Sequence, residues 1–188
     1  MGGNWAMGLG RIYFDYIDKC AEDVIGGLRG KRMLELGNQH NGDESIAEKT
    51  GKEYYINRGV EHISVDLNGM NRALKIDLSE PINIPSWQGY FDIITDCGTS
   101  QHVEPKKAQY ICFMNIHNCL KLGGVAVHLV PDIDELKNKG CWKWICNHYY
   151  SHEFFKMLAI NNDYNLLSLK VIDGNICACL QKNTIGHL

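Results

Sequence analysis

The sequence predicts an α/β fold: one doubly wound sheet of seven strands that ends in an antiparallel β-hairpin. Three observations carry this prediction. Short apolar runs alternate with stretches of helical periodicity, as parallel strands and their crossover helices require. The run Met33-Leu34-Glu35-Leu36 stops at Gly37, and later runs stop at Asp66 and Asp96, so turns and carboxylates collect at one edge of the sheet. The last two runs are joined by Asp173-Gly174, a hairpin signal.

Taken in order, residues 1–10 are glycine-rich and residues 1–30 read as an N-terminal helical extension, ahead of a main domain at 31–188. Ile12, Tyr16, Cys20 and Val24 recur at helical spacing, and Gly26, Gly27 and Gly30 end that helix. Residues 32–36 form the first strand. After a polar loop, Asp43 or Ser45 is suited to cap a helix towards Asn57, which Gly59 stops. Residues 62–67 are the second strand and 73–76 a short third. Pro81 and Pro85 exclude a long helix from the next connection. Residues 90–96 carry the unbroken apolar run of a central parallel strand.

A helix is expected from about Glu104 to Leu120, with Pro105 in its first turn and Gly123-Gly124 after it. Residues 125–130 are the fifth strand, ending at Pro131. Residues 132–150 are irregular and rich in Trp, Cys, His and Tyr. Ser151 caps the next helix, with Glu153 and Phe154 in its first turn. Residues 166–172 and 175–181 are the paired last strands.

Composition narrows the function. The chain of 188 residues is long enough for one sizeable core, and 45% hydrophobic with 22% charged residues is ordinary for a globular protein. A formal net charge of -3 offers no basic excess for a phosphate backbone, so no nucleic-acid partner is expected. No apolar run approaches the ~18–20 residues of a membrane span, and Met1-Gly2-Gly3-Asn4-Trp5 lacks the pattern of a signal peptide. Most of the eight cysteines sit in apolar settings, which points to reduced, buried thiols and a cytoplasmic protein.

Among single residues, His102 is the leading candidate for a general base. It follows the fourth strand by six residues, and an imidazole pKa near ~6.5 suits proton removal. Asp96 and Glu104 are the alternatives. Cys141, Cys146, His148 and His152 fall within twelve residues. The two cysteines are five apart rather than tightly paired, so no metal is expected. A ligand wall in which Trp142, Trp144 or Tyr149 stacks on a sugar or planar molecule, with His148 beside them, is preferred to a metal site, and plain core packing of some of these aromatics is equally sensible.

Five motifs together resemble the class I S-adenosylmethionine-dependent methyltransferases over residues 31–182. They are Leu34-Glu35-Leu36-Gly37, Ser64-Val65-Asp66-Leu67, Ile76-Asp77-Leu78, Phe91-Asp92-Ile93-Ile94-Thr95-Asp96 and Leu120-Lys121-Leu122-Gly123-Gly124. The resemblance implies a Rossmann-like sheet and S-adenosylmethionine as cofactor. By position it implies cofactor contacts from Glu35, Gly37 and Asn38, from Asp66 and Leu67 at the ribose, from Asp77 and Leu78 at the adenine, and from Cys97 and Gly98 near the sulfonium. It also places acceptor-binding residues after the fifth strand, at 132–152. The implied activity is methyl transfer to a small-molecule acceptor, a sugar hydroxyl being one candidate.

The glycine loop departs from the family. Gly37 is followed by Asn38-Gln39-His40-Asn41-Gly42, without the usual second glycine. Either Asn38 takes a left-handed turn conformation or the pocket is altered. The alternatives to the enzyme are therefore a non-catalytic binding protein of the same fold, or an enzyme using another nucleotide.

Overall fold

The computed structural model describes residues 8–138 and 146–183. Its elements are α1 (Arg11–Ile25), β1 (Arg32–Leu36), α2 (Gly51–Asn57), β2 (Glu61–Asp66), β3 (Leu74–Lys75), β4 (Phe91–Cys97), α3 (Ala108–Cys119), β5 (Leu120–Pro131), α4 (Ile133–Asn138), α5 (His152–Asn161), β6 (Tyr164–Ile172) and β7 (Asn175–Lys182).

One seven-stranded sheet runs in the order β3-β2-β1-β4-β5-β7-β6. Strands β1 to β5 pair in parallel, and β7 is antiparallel to both neighbours. The predicted terminal hairpin is present, but its second strand lies inside the sheet and its first strand forms the edge. Burial explains the order. Ile176 to Leu180 of β7 are all buried, whereas β6 leaves Leu167 and Val171 exposed and so tolerates the edge.

Each face of the sheet has its own core. Leu34, Leu36, Val65, Ile94, Ala126 and Val130 pack with α3 and α5 through Cys112, Phe113, Ile116 and Phe155. On the other face Met33, Ile93, Val125, Val127, Cys177 and Cys179 pack against Phe14, Ile17 and Cys20 of α1 and Tyr54 and Tyr55 of α2. Helix α1 thus supplies part of one of the layers. Gly26, left-handed at φ 72°, ends α1 as predicted.

Several boundaries moved, each for a local reason. Asp43 does not cap α2: its carboxylate takes the N–H groups of Arg11 and Ser45 in a preceding turn. The helix starts at Gly51, where Thr50 Oγ1 accepts the N–H of Glu53 and Glu53 reaches back to the N–H of Lys49. This is close to a capping box. Residues 104–107 form turns, so α3 begins at Ala108 rather than Glu104. Strand β5 extends back to Leu120, which pairs with Phe91. Gly124 permits that pairing, since a Cβ there would lie 3.0 Å from the carbonyl oxygen of Asp92.

Candidate functional site

The carboxyl ends of β1, β2 and β4 lie side by side, with Leu36 in register with Val65 on one side and Asp96 on the other. The loops leaving them enclose a cavity of about 460 Å³. Its walls come from Gly37, Asn38 and Gln39 after β1, Val65, Asp66 and Leu67 at β2, Ile76, Asp77 and Leu78 after β3, and Gly98, Thr99, His102, Val103 and Glu104 after β4.

Gly37 makes the turn. Its φ of 81° is left-handed, and a Cβ would lie 2.3 Å from Thr99 Oγ1 and 2.7 Å from Gln39 Nε2. The space is held by a small polar knot: Thr99 Oγ1 donates to the Leu36 carbonyl at 2.8 Å, and Gln39 Nε2 donates to Thr99 Oγ1 at 3.2 Å. Asn38 is not left-handed, so of the two expected alternatives the altered loop is the one observed. Its N–H donates instead to Asp66 Oδ2 at 2.9 Å. A cavity bordered by Gly37, Asn38 and Gln39 is present with this altered loop.

Asp66 also accepts the N–H of Asn68 on Oδ1 at 2.9 Å. Each oxygen keeps a lone pair for a ligand. Leu67 projects outward with 62% exposure, and Leu78 is buried at 6% beneath the cavity wall. Asp77 is exposed and caps its own turn, accepting the N–H of Ser79 at 2.8 Å.

Three of the residues expected at the cofactor or as a base do not line the cavity. Glu35 points to the α1–α2 face, 1% exposed, with its Oε2 3.4 Å from Nε2 of the equally buried His62. Burial raises its pKa more than His62 lowers it. Cys97 shares that face, and burial together with Glu35 and Asp96 pushes its thiol pKa well up. Asp96 points to the other face but is 1% exposed and saturated. Its oxygens accept Ser100 Oγ–H at 2.6 Å, the N–H of Ser100 at 2.9 Å and that of Thr99 at 3.3 Å, and Oδ2 lies 2.9 Å from His128 Nδ1. Burial raises its pKa, yet these partners hold it below the ordinary carboxylate value. Asp96 anchors the loop after β4 and is not positioned as a base for a ligand in the cavity.

That loop carries His102 to the cavity wall. Its carbonyls are held by Gln109 and residues 147–148. Gln109 Nε2 donates to Ser100 O at 2.7 Å; Gln101 O accepts the N–H groups of Asn147 and His148 at 3.0 and 2.9 Å. Asn147 Nδ2 donates to His102 O at 3.0 Å, and His148 Nε2 lies 2.8 Å from Val103 O. Tyr150, which caps Gln109 Oε1, is buried at 4%. His148 borders a second basin rather than the first, and the Tyr149 hydroxyl accepts the N–H of Cys146 at 3.1 Å. Trp142 and Trp144 lie outside the described residues.

Sequence reading missed Gln39, Thr99 and Ile76. The polar pair had a signal, since a side chain must fill the space that the family's second glycine leaves bare. Among the described residues no cluster of His, Cys, Asp or Glu fits a metal ion, and no helix is long and apolar enough to cross a membrane.

No protein-family model and no curated protein matches the sequence. Solved structures do match the fold. The 1,6-didemethyltoxoflavin-N1-methyltransferase of Burkholderia thailandensis, with 1,6-didemethyltoxoflavin and S-adenosylhomocysteine bound, superposes with a TM-score of 0.62 at 15% identity, over 93% of this chain and 82% of that one. The N-methyltransferase NodS of Bradyrhizobium japonicum, in complex with S-adenosylhomocysteine, gives 0.64 at 12% identity over 95% and 91%. An S-adenosylmethionine-dependent methyltransferase of Clostridium acetobutylicum gives 0.65 at 15% identity over 90% of each chain.

Proposed function

From a chain with the fold of the class I S-adenosylmethionine-dependent methyltransferases, we infer an enzyme that binds S-adenosylmethionine in the 460 Å³ cavity and methylates a small-molecule acceptor. The observation that carries this reading is the convergence of Gly37, Asp66, Leu78 and Thr99 on one cavity at the carboxyl edge of the sheet.

The residues fit the cofactor. The volume lies within the range of small-ligand sites. Asp66 has a free lone pair on each oxygen for the ribose hydroxyls, while its other contacts fix the loop that borders the amino-acid end. Ile76 and Leu78 offer an apolar wall for a planar ring, with the Asp77 carboxylate beside it to accept from an amino group. Gly98 and Thr99, held from below by Asp96, border the side towards β4.

Bound there, S-adenosylmethionine supplies an activated methyl group for in-line displacement. Orientation then supplies most of the rate, and the chain's contribution is to hold both partners and exclude competing water. The rigid loop of residues 98–104 is suited to that task, because Asp96 fixes it at one end and residues 147–148 and Gln109 at the other.

Two of the neighbours are N-methyltransferases by name, one holding 1,6-didemethyltoxoflavin, so a nitrogen acceptor ranks with the sugar hydroxyl considered from sequence. Isothermal titration with S-adenosylmethionine and S-adenosylhomocysteine, using ATP and NAD as controls, tests the reading. Micromolar binding of the sulfur ligands alone supports it; no binding by folded protein removes it in favour of a binding module without cofactor.

A further inference from the structure

Beside the cofactor cavity lies a second, more open basin of about 560 Å³, lined by Glu104, Pro105, Lys106, Asn147 and His148. Glu104 lines both spaces, so the basins adjoin at this residue. The basin exists because residues 147–148 are bonded to the loop after β4, and those same bonds set the chemistry of His148. Its Nε2 lies 2.8 Å from the carbonyl oxygen of Val103, which can only accept. Nε2 therefore carries the ring proton, and in the neutral imidazole Nδ1 is the atom with the lone pair.

The charged groups of the basin are otherwise unspent. Neither Glu104 nor Lys106 forms an ion pair among the described residues. The lining thus offers one carboxylate and one imidazole lone pair as acceptors, and one ammonium and one amide as donors. A neutral polyol would leave both charges unmatched. A molecule with an ammonium and an anion matches both.

Resting on the methyltransferase reading above, we propose that this second basin binds the methyl acceptor, a small amine that also carries an anionic group, with His148 taking the amine's proton. Glu104, at the junction, draws the ammonium towards the cofactor cavity, while Lys106 and Asn147 receive the anionic end. An amine nitrogen suits this base better than an alkyl hydroxyl, because proton transfer to imidazole from an ammonium group is far less uphill than from an alcohol.

The step balances. The ammonium proton passes to Nδ1 and frees the nitrogen lone pair. That pair forms the new bond to the methyl carbon, the carbon–sulfur pair returns to sulfur, and the sulfonium charge passes to the methylated nitrogen. The imidazolium, with Nε2–H still on Val103 O, then releases its proton to solvent.

The test is nitrogen NMR of histidine-labelled protein, with His148 signals assigned by their loss in His148→Gln. In the free protein they should report an Nε2-protonated, Nδ1-bare ring; an Nδ1-protonated ring overturns the base assignment. Protein saturated with S-adenosylhomocysteine is then titrated with glycine, 4-aminobutyrate and phosphoethanolamine, with methylamine, acetate and glucose as controls. At least one amine–anion probe should shift the His148 signals saturably, and Glu104→Gln or Lys106→Ala should weaken it by about tenfold. Both substitutions lie at exposed positions, and circular dichroism checks their folding. No response to any amine–anion probe, or an equal response to glucose, overturns the proposal. If S-adenosylhomocysteine itself does not bind, the cofactor reading fails first, and the probes are read on the free protein.

Discussion

The main-chain N–H of Asn38 donates to Oδ2 of Asp66 at 2.9 Å, tying the loop after the first strand to the end of the second. One carboxylate thereby shapes two walls of the cavity. Asp66→Ala should reduce affinity for S-adenosylhomocysteine by at least about tenfold, since it removes both the ribose acceptors and the loop tether. Asp66→Asn keeps an oxygen for the tether and should lose less. Calorimetry on both variants separates the two contributions, and equal affinities for Ala and wild type would take Asp66 out of the site.

Gly37 is under two constraints at once, a φ of 81° and contact with Thr99 Oγ1 and Gln39 Nε2. Gly37→Ala should destabilise the fold by about 1–3 kcal/mol, from left-handed strain and displacement of the Thr99–Leu36 hydrogen bond. Urea unfolding measures this directly. Thr99→Val in the same background relieves none of the backbone strain, so it should not restore stability.

These residues also show what the sequence could and could not reveal. Gly37 and Asp66 were legible as strand ends beside the cavity, because an apolar run ending in a glycine or a carboxylate marks the carboxyl edge of such a sheet. Glu35 and Cys97 were misplaced because strand side chains alternate between faces, and both faces of this sheet are buried, so the pattern carries no polarity to choose between them. Asp96 was misread for another reason. It faces the correct layer, but Ser100 and Thr99 fold back on it, and that return of the chain is tertiary information. The start of α2 was misplaced at Asp43 or Ser45 because Asp43 closes a turn of its own, and the cap is Thr50.

His102 should make cofactor binding depend on pH. Partial burial lowers its pKa below the ordinary imidazole value, and the nearby Asp96 offsets this only in part. The ring is therefore neutral at pH 7 and becomes cationic only as pH falls below about 6.5. A cation on the cavity wall repels a sulfonium and is nearly indifferent to a thioether. Affinity for S-adenosylmethionine should thus fall on acidification relative to S-adenosylhomocysteine, and His102→Gln should abolish the difference. A constant ratio of the two affinities between pH 8 and about 5 would show that His102 does not face the charge.

Far from the cavity, Asp92 at the start of β4 binds Arg32 Nε at 3.0 Å, the Arg32 N–H at 3.0 Å and Lys121 Nζ at 3.0 Å. These contacts join β1, β4 and β5 at the edge opposite the cavity. Burial works to raise the carboxyl pKa, but Arg32 and Lys121 outweigh it and hold it well below the ordinary value. With the folded value under the unfolded one, the stabilisation is complete above about pH 4 and is lost as pH falls towards the folded value. Arg32 and Lys121 are partly exposed, so screening limits the worth of the cluster to about 1 kcal/mol. Asp92→Asn should lower the urea midpoint at pH 7, with the gap to wild type narrowing below pH 4. Because the cluster stands at the opposite edge, S-adenosylhomocysteine affinity should stay unchanged, and a parallel loss of affinity would mean that the strand ends are less rigid than this sheet implies.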